Sequence, residues 1–145
     1  MEIRDYPFSV VGQGPSRPML WVRLTNPDTC LSFEALAIVD TGADICVFPA
    51  GVAEALGHKL KSVSPNPMGG VGGDTCAWPH TSKVEILNIK TDGTAGSRVL
   101  YSISDTLIDF SATCPMFLLG TKNFLSNFIL TVDYPRQTLS LRKPK

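Results

Sequence analysis

Apolar and polar positions alternate from Met19 to Thr25, with Leu20, Val22 and Leu24 on one side and Trp21, Arg23 and Thr25 on the other. A period of two is the signature of a half-buried strand. Residues 8–11 suit a strand as well, and the intervening 12–18, with two glycines and two prolines, reads as a loop. After a turn at Asn26-Pro27-Asp28, residues 31–39 form the next predicted strand, so the chain starts as an antiparallel meander. Residues 45–48 are apolar enough for another short buried strand. Pro49 stops it and fits the first turn of a helix over 50–56, where Val52, Ala53 and Leu56 have helical spacing and Gly57 stands at C′.

Residues 65–73 then place four glycines around Val71. Glycine adds no side chain and loses the most backbone entropy on ordering, so this stretch is expected as a hairpin tip or loop with a single apolar contact residue. Strands are predicted at 82–90 and 97–104, joined by a turn cluster at 91–96, and no element is assigned to 105–114. The run 116–119 is fully apolar and ends at Gly120, as a strand buried on both faces would. Thr121 is expected to cap a short helix over 122–127, and strands at 128–133 and Thr138–Arg142 close the chain. The pattern is mostly β with one or two short helices.

A chain of 145 residues is expected to be a single domain spanning 1–145, and a domain of that size buries about 68–70% of its extended surface. Acidic and basic residues balance at 13 each, which removes the electrostatic case for nucleic acid or an acidic membrane surface. A neutral peptide or small molecule is the easier partner. No window approaches the length of a membrane span, so the expected location is cytoplasmic, either as such or as a soluble fragment of a larger precursor. Cys30, Cys46, Cys76 and Cys114 show no CxxC or Cys/His clustering; they read as reduced, mostly packed thiols, with a disulfide pair as the other reading. No metal site is signalled. His58 and His80 lack a nucleophile in a recognisable setting and read as surface or structural residues.

The stretch Ala37-Ile38-Val39-Asp40-Thr41-Gly42-Ala43-Asp44 carries the candidate chemistry. An apolar strand delivers a carboxylate to a tight turn, an expensive place for a charge unless the site uses it. An aspartate there is also compatible with an ordinary turn residue. Its company raises it: the glycine segment follows some tens of residues later, and Leu118-Leu119-Gly120 after that. Two carboxylates facing each other at about 3 Å cannot both ionise, so such a pair holds one proton between them and can activate water against an amide.

In that order of motifs the chain resembles the retropepsin-type aspartic proteases, the single-lobe relatives of pepsin. The resemblance spans roughly 20–141 and is strongest at 39–44, 68–73 and 117–120. It implies a closed β-barrel-like acid protease lobe with a flap hairpin. It maps Asp40 to the catalytic aspartate, Thr41 to a hydroxyl that bonds across to the opposing copy of the loop, and Gly42 to a carbonyl that receives a substrate amide. Gly69, Gly70 and Val71 match the flap that closes over bound peptide. Leu119 matches the strand threaded beneath the catalytic loop.

Asp44 is left between a substrate main-chain contact and a structural turn role, because Thr121-Lys122 follows Gly120 where retroviral members carry an arginine. Ile45 stands where many of them keep a second acidic residue, which implies a less polar subsite. Ala43, Val47 and Leu119 could line subsites or be plain core. Only one Asp-Thr-Gly occurs, and Asp105-Thr106-Leu107 lacks the glycine, so a dyad requires two chains in an isologous homodimer. The extra hairpin after residue 128 is a candidate for the dimer contact. The activity implied is an aspartic endopeptidase acting on extended peptide or protein substrates, with no cofactor and an acidic to near-neutral optimum. The alternative is a catalytically silent, protease-like dimerisation or peptide-binding module.

Overall fold

The computed structural model describes residues 1–69 and 75–145. The described residues form two sheets. The smaller has three strands in the order β1 (Glu2–Pro7), β10 (Thr138–Arg142), β9 (Ile129–Asp133), all antiparallel. The larger contains β2 (Met19–Thr25), β3 (Ser32–Val39), β4 (Cys46–Pro49), β5 (Asn66–Met68), β6 (Thr75–Ile89), β7 (Ala95–Ser111) and β8 (Leu118–Leu119), in the order β2-β3-β8-β4-β7-β6-β5. β2 also pairs on its other side with β6, Val22 opposite Ile86 and Leu24 opposite Val84. No helix among the described residues is long and apolar enough to cross a membrane.

The expected meander is present. β2 and β3 pair from Met19↔Ile38 to Thr25↔Ser32, and the alternation holds: Leu20, Val22 and Leu24 are fully buried against Ala35, Ala37 and Val39. Phe48, Ile108, Phe110, Leu119 and Phe124 complete the centre of this core.

The single α-helix among the described residues, α1 (Ala50–Ala55), starts after Pro49 and buries Val52 and Ala53. It ends as the sequence suggests. Gly57 takes φ +77°, its N–H reaches the Glu54 carbonyl at 2.9 Å, and the His58 N–H reaches Ala53 at 2.9 Å, the paired bonds of a Schellman end. Asn26 Nδ2 and Thr29 Oγ1 donate to the Leu56 carbonyl at 2.9 and 2.7 Å, tying the β2–β3 turn to the helix.

Several expectations need correction. The first strand is Glu2–Pro7 rather than 8–11, where only an isolated bridge joins Ser9 to Arg17. β6 and β7 run 15 and 17 residues, well past the predicted limits, and β7 absorbs most of the unassigned 105–114. The run 116–119 yields only the two-residue β8, with Met116 39% exposed. Thr121 caps no helix: a 3-10 turn at Leu125–Asn127 follows Phe124 with no side-chain cap. Thr121 Oγ1 lies instead 3.2 Å from the carbonyls of both Ala43 and Asp44.

Candidate active site

Asp40 follows the last residue of β3, where the backbone leaves the ladder. Its N–H donates to the Leu119 carbonyl at 3.0 Å, so β8 anchors the aspartate's own backbone. The chain then folds back on itself: the Ala43 N–H reaches the Asp40 carbonyl at 3.2 Å, and the Gly42 N–H donates to Asp40 Oδ1 at 3.0 Å. This last bond fixes the carboxylate in an Asx-type turn. A Cβ on Gly42 would lie 3.3 Å from that same Oδ1, so any side chain there presses on the group the turn orients. Asp40 is half-buried, while Thr41, Gly42 and Asp44 are exposed and Ala43 is half-buried.

The loop is held from beneath. Thr121 N–H donates to the Ala43 carbonyl at 2.9 Å and Lys122 N–H to the Asp44 carbonyl at 2.8 Å. Gly120 makes this approach possible, because a Cβ at that position would run into the Ile45 carbonyl. The Gly120 N–H finds the Cys46 thiol at 3.4 Å, and burial pushes that thiol's pKa up to about 11. Leu119, expected among the subsite residues, has its side chain in the core at 0% exposure and reaches the site through its carbonyl. Val47 is also buried, at 4%.

Residues paired directly across a sheet share a face. Ile38 pairs with Leu118, Leu118 with Val47, Val47 with Asp109, and Asp109 with Pro79, giving one continuous row over five strands. Ile38 is out of phase with the buried Ala37 and Val39, so this row lies on the face opposite the core, and Asp40 follows just beyond its β3 end. On that side an apolar cleft of about 490 Å³ lies between Met19, Trp21, Leu36, Ile38, Met116 and Phe117. The sequence offered no signal that brought Trp21 and Met116 together, since they are far apart in the chain.

β5 and the start of β6 pair antiparallel, Asn66↔Ala77 to Met68↔Thr75. Gly69 is exposed beyond it. The expected tip, with Gly70 and Val71, lies outside the described residues. The Thr41 hydroxyl and the Asp44 carboxylate have no hydrogen-bond or ion-pair partner among the described residues. His58 and His80, distant in sequence, stack at 4.7 Å between ring centroids and pack against Phe110. His80 Nε2 lies 2.8 Å from the Leu60 carbonyl, a structural arrangement remote in sequence from Asp40. All four cysteines are free; Cys46 is packed, but Cys30 is exposed, contrary to the expectation of mostly packed thiols.

The structure of EIAV protease complexed with the inhibitor HBY-793 is similar to this chain, at 23% identity over 77% of this chain and 88% of that one, with a TM-score of 0.39. No protein-family model and no curated protein matches the chain.

Proposed function

We propose that the chain is an aspartic endopeptidase acting as a homodimer, in which Asp40 of each copy supplies one of two facing carboxylates. The observation that carries this reading is the setting of Asp40: a carboxylate oriented by the Gly42 N–H at 3.0 Å, on an exposed turn, with its own backbone clamped to β8. A single Asp-Thr-Gly in the chain supports the need for a second copy.

In this mechanism the two carboxylates share one proton. The ionised member takes a proton from a bound water, and the water oxygen attacks the scissile carbonyl carbon. The protonated member donates to the carbonyl oxygen, giving a gem-diol intermediate that collapses as the amide nitrogen is protonated and leaves. Thr41, exposed on the turn, would bond to the partner copy's loop. The Gly42 carbonyl and Asp44 would hold the peptide main chain, with residues 68–73 as the flap over it. Ala43 and the apolar cleft beside Ile38 would receive large apolar side chains.

The test is cleavage of a diverse peptide library, with and without a statine-type transition-state mimic. Asp40→Asn is expected to remain a folded dimer by sedimentation and to cleave nothing, and the mimic is expected to block the unsubstituted protein. Full activity in Asp40→Asn would overturn the reading. Peptide binding without any turnover would leave the silent peptide-binding module in its place.

A further inference from the structure

Asp109 lies near the C-terminal end of β7 and is only 2% exposed, yet it is poorly partnered. Its Oδ1 accepts a long bond, 3.4 Å, from Asn66 Nδ2, and its Oδ2 has no hydrogen-bond partner among the described residues. No lysine or arginine among the described residues forms an ion pair with it. Burial accordingly raises its pKa above the ordinary carboxylate value, with the Asn66 bond acting against this.

Its neighbours make the carboxylate harder to account for as a packing residue. Leu118, Val47 and Pro79 share its row and are all apolar, so a leucine would pack there without the desolvation penalty. Asn66, the only side chain among the described residues bonded to it, is itself exposed on β5. Its amide is a weak, long-range partner that a cation of the bound peptide can replace. The row also fixes the direction: Asp109 is three strand spacings, about 14 Å, from Ile38, which lies two residues before Asp40.

Resting on the endopeptidase reading, the geometry points to Asp109 as the floor of an acidic subsite that takes the ammonium or guanidinium group of a lysine or arginine side chain in the bound peptide. An incoming cation cancels the buried charge and fills the orphaned oxygen, which a neutral amide only half achieves. Hydrogen bonding to the backbone and apolar contact elsewhere would position the peptide; Asp109 would select one of its residues.

The experiment uses a peptide series in which lysine, arginine or norleucine is placed at each position in turn. Binding to the Asp40→Asn protein is read by fluorescence anisotropy, and cleavage by the protein with Asp40 intact is read separately. At one position lysine and arginine are expected to bind at least about tenfold more tightly than norleucine. Adding Asp109→Asn should abolish that preference, and Asp109→Leu should reverse it. Thermal unfolding checks that both variants fold. A basic preference that survives in Asp109→Asn and Asp109→Leu, or its absence at every position, overturns the subsite. Asp109-dependent binding without cleavage would sustain the subsite and sink the endopeptidase; cleavage without the preference would do the reverse. A protein that neither binds nor cleaves any member of the series refutes both.

Discussion

Replacing Gly120 with alanine adds one methyl group at the point where β8 passes under the candidate active-site loop, and that methyl would meet the carbonyl, carbonyl carbon and Cα of Ile45. All three are backbone atoms, so no side chain can rotate away. Overpacking in a core costs about 1–3 kcal/mol when side chains can adjust, and a backbone obstacle places this change at or beyond the upper end. Gly51→Ala is the internal control. Gly51 lies in α1 and its added Cβ meets nothing within 4 Å, so alanine there should stabilise by about 0.5–1 kcal/mol through helix propensity and a less mobile unfolded chain.

Both substitutions change the unfolded chain alike, and their difference isolates the native contact. A gap of about 4 kcal/mol is expected. For 145 residues the entropy of unfolding is about 0.3 kcal/mol/K, which converts the gap to about 13 °C in Tm. Thermal unfolding by circular dichroism reads it directly. Amide exchange should also show loss of protection at Asp40 and Thr121, whose N–H groups donate to Leu119 and Ala43. A Gly120→Ala protein within about 1 kcal/mol of the parent would refute the argument that close backbone approach demands glycine there.

Two further outcomes follow from the buried polar groups. The Tyr6 hydroxyl donates to the Leu87 carbonyl at 2.9 Å and accepts from the Trp21 N–H at 3.1 Å, linking β1 to the larger sheet. Tyr6→Phe should therefore cost about 2 kcal/mol in a urea titration. Because burial pushes the phenol's pKa up to about 12, the unfolded chain ionises first, and the parent should lose stability as pH rises from 10 to about 12, a loss absent from the phenylalanine variant. His58 titrates in the other direction: burial first, and repulsion from His80 second, lower its pKa below 6.5, with Asp28 opposing. Its contribution is complete above pH 6.5 and is lost as pH falls through the lowered folded value. His58→Phe, which keeps a ring against His80 and Phe110, should flatten that part of the stability profile.

Elements set by local patterning were legible in the sequence. β2 and β3 alternate cleanly, Pro49 and Gly57 mark the helix, and a lone Asp-Thr-Gly after an apolar strand marks the turn that the structure builds around Asp40. What failed depends on distant partners or broken periodicity. β1 has a register shift between Ile3 and Tyr6 and a positive φ at Asp5, so its two buried residues are out of alternation and its identity rests on pairing with β10. β6 and β7 shift register three times, which erases the period of two. Residues 108–111 are all buried, which removes the period of two, so Asp109 sits in a stretch with no strand signature. Thr121 looked like a helix cap because its local sequence allows one; the carbonyls of Ala43 and Asp44 are invisible from there.

The terminal sheet has an engineering consequence. Glu2 stands directly opposite Arg142, so the ends of β1 and β10 leave the sheet side by side. Peptide-bonding Lys145 to Met1 would turn Lys143, Pro144, Lys145 and Met1 into a hairpin loop of about the usual length. A circular permutant opened at Gln13, in the exposed loop before β2, would then keep every ladder intact and alter only loop-closure entropy. The order in which the strands are synthesised would change while their neighbours would not, making the molecule suited to asking whether the N-terminal strand must be made first for the rest to assemble.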